Sequence, residues 1–74
     1  MEKKLIEAVE NIDEPLAIRQ VKSLLASGRN PKEISNDLNF ALQRVANRYE
    51  KGEYYIADHI MAGELVSSLL KISG

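Results

Sequence analysis

The chain has 74 residues and no cysteine, so it is long enough for one small domain and carries neither a disulfide framework nor a thiolate metal site. Its 10 basic and 11 acidic residues give a net charge of −1, without the excess of positive charge that a nucleic-acid surface needs. No apolar run approaches the roughly 20 residues of a membrane span. We therefore expect a soluble, cytoplasmic protein that binds neither nucleic acid nor membrane.

Two helices are predicted in the first third of the chain. Apolar residues at helical spacing predict a first helix over about Glu2–Val9. Asp13 is a favourable N-cap, and the following Glu-Pro pair suits a first helical turn. The second helix is therefore predicted from Glu14 to about Ser27, with Gly28 directly after its end.

Two longer helices are predicted in the remainder of the chain. Asn30 can cap a helix that begins at Pro31 and ends near Lys51, just before Gly52. A fourth helix is predicted over about Tyr55–Ile72. No segment shows the alternation of a strand. Four helices with short connections predict an all-α, four-helix bundle with antiparallel neighbours. Its core is predicted to include Leu24, Leu38, Leu42, Val45 and Val66.

The junction between the third and fourth helices has the most unusual composition. Tyr54 and Tyr55 are adjacent at the start of a helix, and each either fills the end of the bundle or presents a flat surface to a ligand. His59, the one histidine, lies one turn later without partners for a metal site. It is either a half-buried packing residue, or a polar contact to a ligand or a proton-responsive contact in an interface. Asp58 is explained by its place near the positive end of the helix dipole.

This junction resembles the helical cap domain of corrinoid proteins, the module that lies over cobalamin in methyl-transfer systems. Such systems include the methylamine and methanol corrinoid proteins and cobalamin-dependent methionine synthase. The sequence departs from the family pattern at Ala46, where glycine is usual, and at His59, where leucine is usual. The matching positions, in order, are Val45, Tyr49, Gly52, Glu53, Tyr54, Tyr55, Ile56, Ala57, Asp58, Ile60, Ala62, Gly63 and Glu64.

The resemblance implies a protective role without catalysis. It implies that residues 1–74 form one cap-like domain, and that the Rossmann-like domain that holds cobalamin through an Asp-x-His-x-x-Gly motif is absent from this chain. Cobalamin would then be bound only together with a partner domain, and a methyltransferase would be the second partner. The implied cofactor-facing residues are Tyr55, Asp58, His59, Ala62 and Leu65.

Two other functions were considered for the sequence, and only the first is compatible with its charges. The chain could be a stand-alone helical interaction module, with an apolar face around Tyr55, Ala62 and Leu65 that forms a homodimer. A DNA-binding helix-turn-helix is disfavoured because the charges are balanced and no helix face is basic.

Overall fold

The computed structural model describes residues 1–74 and contains four helices and no strand. The helices are α1 (Lys3–Glu10), α2 (Glu14–Ala26), α3 (Pro31–Glu50) and α4 (Ile56–Ser73). Each end lies within one residue of its predicted position. The predicted all-α, four-helix fold is therefore confirmed.

Local capping explains where α2 and α3 begin. The Asp13 carboxylate accepts a hydrogen bond from the Leu16 N–H at 3.3 Å, and the Asn30 side-chain oxygen accepts one from the Lys32 N–H at 2.8 Å. Each cap satisfies a backbone donor that has no partner within the helix. The two predicted helix starts therefore follow from side chains close to them in sequence.

The first three helices end in the same hydrogen-bonded turn. In each, the N–H groups of the first three residues past the helix donate to carbonyls of its last turn, and the residue after the C-cap has a positive φ. That residue is Gly28 after α2 and Gly52 after α3, but Ile12 after α1, with φ of 55°. A left-handed conformation costs a residue with a Cβ about 1–2 kcal/mol, so the turn after α1 is strained.

The four helices form a ring in which α1 packs on α2 and α3, and α4 packs on the same two helices. The Glu2 N–H donates a hydrogen bond to Asp37 at the start of α1, and Glu10 forms an ion pair with Arg44 at its end, which places α1 and α3 parallel. The predicted core residues Leu38, Val45 and Val66 are buried, whereas Leu24 and Leu42 are only partly buried at its edge. None of the four helices combines the length and hydropathy of a membrane span.

Candidate functional site

The candidate site lies at the end of the bundle where α3 turns into α4. Its two neighbouring tyrosines have opposite surroundings. Tyr54 is partly buried, and its hydroxyl donates a hydrogen bond to the Glu10 carbonyl at 2.7 Å. Tyr55 is 82% exposed at the N-cap of α4. The pair therefore divides into an anchor and an outward-facing aromatic side chain.

Tyr54 is part of a polar network that we call the Glu10 clasp, formed by Glu10, Arg44, Arg48 and Tyr54. The Glu10 carboxylate, at the end of α1, accepts from Nε of Arg44 at 2.8 Å and from Nε of Arg48 at 2.9 Å. Nη1 of Arg48 also donates to the Tyr54 hydroxyl at 3.2 Å. The clasp therefore ties the turn that carries Tyr55 to both α1 and α3.

The charges of the clasp are mutually compensated. Desolvation opposes the charge of Arg48, but the Tyr54 hydrogen bond and the charge of Glu10 outweigh it and raise the pKa of Arg48 above its ordinary value. Arg48 therefore stays cationic at any physiological pH. An open groove of about 240 Å³ beside the clasp has no hydrophobic lining residue. The C-termini of α1 and α3 lie at this end, and their helix dipoles favour the positive charges of Arg44 and Arg48. The charged groups of the clasp are therefore accounted for by the fold.

Asp58 has a structural role at the start of α4. Its carboxylate accepts a hydrogen bond from the Tyr55 N–H at 2.8 Å, which satisfies a backbone donor at the N-terminus of the helix. The same bond fixes the backbone at Tyr55. Asp58 therefore acts on the direction of the tyrosine, in addition to its favourable interaction with the helix dipole.

His59 packs between α4 and the last turn of α3. Its ring centroid lies 5.8 Å from that of Tyr49, with the planes tilted by 54°, which is ordinary aromatic packing. The side chain is half-buried. Of the two interpretations of His59, the geometry favours the packing residue. No group of three or more His, Cys, Asp or Glu side chains in the chain is arranged to hold a metal ion.

The expectation of an uncovered face at Ala62 and Leu65 is wrong. Ala62 is 0% exposed and Leu65 is 4% exposed. Both share the α4 stripe with Val66 and Leu69, which the neighbouring helices cover. The five predicted site residues do fall on one side of α4 by helical spacing. Only Tyr55 among them, however, is largely exposed.

The exposed apolar side chains at the start of α4 include Ile56 and Ile60, which match the family pattern but to which the sequence analysis gave no site role. Ile56 and Ile60 are 53% and 55% exposed, and Met61 is similarly exposed on the other flank of α4. The sequence could have predicted this exposure. Isoleucines at i and i+4, added to the buried stripe, make the apolar face of α4 wider than the neighbouring helices can cover. Ile56, Ile60 and Tyr55 therefore give the start of α4 exposed apolar and aromatic side chains.

Comparisons with known proteins give one match. No curated protein and no solved structure matches this chain significantly. The family model described as B12 binding domain matches residues 1–72. That match spans nearly the whole chain and agrees with the four-helix fold. The chain is a member of the B12 binding domain family, and it corresponds to the helical cap domain of that family.

Proposed function

We propose that this chain is the cap module of a corrinoid methyl-carrier protein, which covers the upper face of cobalamin during methyl transfer and takes no catalytic step itself. The observation that carries the proposal is the largely exposed Tyr55 at the N-cap of α4. Family membership supports it, since the matched model describes a B12 binding domain.

The residues of this chain divide the task between contact and support. Tyr55 supplies a large, stiff surface that excludes water, and Ile56 and Ile60 extend that surface along α4. Asp58 holds the backbone from which Tyr55 projects. Of the residues implied by the resemblance, Ala62 and Leu65 act from beneath the surface by setting how closely α4 packs on the bundle. His59 holds α4 against α3.

The cofactor and partners belong to the same proposal. The corrinoid would supply the methyl-transfer chemistry, and a cobalamin-binding domain would hold it. A methyltransferase would approach when the cap moves aside, which is the usual task of a protein lid. The open apolar surface lacks any enclosed cavity of its own, so corrinoid binding by this chain alone should be weak. A cytoplasmic location remains a prediction.

The proposal is tested in a protein that joins this chain to a cobalamin-binding domain. The measurement is the rate at which the reduced corrinoid is inactivated by oxygen. Tyr55→Ala should increase that rate because it opens the cover, and Tyr55→Phe should not because it keeps the ring. Phe40→Ala is the matched control, since Phe40 is an exposed aromatic residue between α1 and α3, away from α4. Equal rates for Tyr55→Ala and Phe40→Ala would refute the cap role.

A stand-alone helical interaction or dimerisation module is the second candidate. It is favoured by the exposure of Ile56 and Ile60, because apolar side chains on one helix flank often mark a protein contact. The domain that lies next to this chain in the natural protein distinguishes the cap function from the interaction module. A cobalamin-binding domain following Gly74 in the natural protein would favour the cap.

A further inference from the structure

A groove between α4 and the α1–α2 turn lies outside the proposed cap surface. Its volume is about 200 Å³. Small-molecule and cofactor sites of proteins usually measure about 300–1,000 Å³. The groove is therefore too small for a corrinoid, and its size suits a side chain that protrudes from another protein. We call it the acidic groove, and its lining residues are Ile12, Glu14, Met61, Glu64, Leu65 and Ser68.

The α4 side of the acidic groove has an exposed methionine above a buried leucine. Met61 is 52% exposed, whereas Leu65, one turn later, is 4% exposed. Met61 is turned about 100° around α4 from Ile60, so this side is separate from the cap surface. The flexible thioether of methionine adapts its shape to the side chains of a partner. The α4 side of the groove therefore offers apolar contact to a second protein.

Ile12 supplies the opposite apolar wall in a strained conformation. The corresponding residues after α2 and α3 are Gly28 and Gly52, which adopt a positive φ without steric conflict. Ile12 has a φ of 55° although its side chain is β-branched, and that side chain is half-buried. Glycine would be unstrained at this position but would leave the groove without its second wall. The isoleucine therefore contributes apolar surface to the groove that glycine could not.

The charges at the rim of the acidic groove are uncompensated. Glu14 and Glu64 are exposed, and neither forms an ion pair within the chain. The dipole of α2 favours Glu14 in its first turn, but Glu64 lies in the middle of α4. Lys71 lies two turns further along α4, about 10 Å from Glu64 along the axis. The groove therefore complements a basic partner and disfavours the phosphates of a nucleic acid or an anionic membrane.

We propose that the acidic groove is a docking site for a basic amphipathic helix of a partner protein. The helix inserts an aliphatic side chain between Ile12 and Met61. It places Lys or Arg side chains next to Glu14 and Glu64, which lie on two different helices and therefore require cations on both sides of the aliphatic anchor. Helices recognised in grooves present such residues one turn apart. The proposal does not rest on the cap function and leaves the exposed start of α4 free.

An NMR titration of the isotopically labelled chain tests this occupant. The test peptide is an alanine-based helix of about 15 residues, with a central leucine and a lysine one turn before and one turn after it. Two comparison peptides carry serine in place of the leucine, or glutamate in place of the lysines. The test peptide should shift the amide signals of Ile12, Met61 and Glu64 in a saturable manner. Each comparison peptide should bind about tenfold more weakly or less, because it lacks one of the two kinds of contact.

Three results of the titration would overturn the proposal. They are the absence of a saturable shift, shifts centred outside the acidic groove, and equal binding of the leucine and serine peptides. Shifts in the groove that appear when the chain alone is concentrated would assign the groove to a second copy, and would also overturn the basic partner.

Charge reversal distinguishes the acidic groove from the general charge of the chain. Glu64→Lys should weaken binding of the test peptide by about tenfold or more, because it replaces attraction by repulsion. Glu50→Lys is the matched control, since Glu50 is exposed, forms no ion pair and does not line the groove. Met61→Ala should also weaken binding, and far-UV circular dichroism verifies that the variants fold. Equal binding by Glu64→Lys and Glu50→Lys, or unchanged binding by Met61→Ala, would contradict the docking site.

Discussion

Tyr54 and Tyr55 show how adjacent residues of one type acquire different tasks. The hydroxyl of Tyr54, in the turn before α4, is held by the Glu10 carbonyl at the end of α1 and by Arg48 of α3. Tyr55 is turned outward by the start of α4 and by the hydrogen bond from its N–H to Asp58. The sequence suggested that a tyrosine pair at a helix start is special. The partners of each hydroxyl depend on contacts across the fold and were not predictable.

Replacing each tyrosine by phenylalanine distinguishes the buried anchor from the exposed aromatic residue by the change in the free energy of unfolding. Tyr54→Phe should lower the free energy of unfolding by about 1–2 kcal/mol, because it removes a partly buried hydroxyl with two partners. Tyr55→Phe should change the stability by less than about 0.5 kcal/mol, since its side chain is largely exposed. Urea unfolding measures both values. Equal effects would mean that the Glu10 clasp does not anchor the turn.

The Glu10 clasp itself was not predicted, and the reason is physical. Arg44 and Arg48 are one turn apart on α3, which sequence can show. Their common partner lies more than 30 residues earlier in the chain, at the end of α1. Helical periodicity identifies residues on the same face, but it does not say which helix that face meets.

At the scale of the elements, the ends of the helices were predictable, but which face of each helix the rest of the bundle covers was less so. Caps such as Asp13 and Asn30 act on backbone groups two or three residues away, so the sequence contains the whole interaction. On α4, the buried side that contains Ala62 and Leu65 and the exposed side that contains Ile56 and Ile60 are both apolar. Sequence alone therefore assigned Ala62 and Leu65 to an open face that the bundle in fact covers.

The two glycines that bracket the start of α4 should respond oppositely to alanine. Gly52→Ala should destabilise the fold by about 1 kcal/mol or more, because φ at this position is +80°. Gly63→Ala should stabilise the monomer by about 0.5–1 kcal/mol, because the Cβ meets open space within a regular helix. Thermal or urea unfolding of dilute protein measures both changes. A loss of stability in Gly63→Ala would show that the glycine is required by internal packing.

Two leucines one turn apart on α3 test the position of the core edge. Leu38→Ala should lower the free energy of unfolding by about 2–5 kcal/mol, because Leu38 is fully buried. Leu42→Ala should cost less, since Leu42 is only partly buried against the same core. Urea unfolding of the two variants gives the comparison. A greater loss for Leu42→Ala would place the centre of the core nearer to the α3–α4 turn.

At the scale of the whole molecule, a bundle of this size has a limited core and is held by contacts at its periphery as well. The Asp37 carboxylate accepts the Glu2 N–H at 3.0 Å at one end of α1, and the Glu10 clasp holds the other end. Only the clasp lies at the end that carries Tyr55, and it ties that turn to α1 and α3 through Tyr54. The sequence predicted the fold and the location of the α3–α4 turn, whereas the contacts that hold the turn join residues far apart in the chain.

The most direct test of the proposed cap is a footprint of the partner on this chain. Backbone amide signals of the isotopically labelled chain are compared by NMR with and without a cobalamin-binding domain loaded with corrinoid, and with the unloaded domain as control. The account predicts that the largest corrinoid-dependent changes fall at Tyr55, Ile56 and Ile60, with little change around Phe40. Changes centred on Phe40, or a bound partner that leaves the start of α4 unchanged, would contradict the cap function.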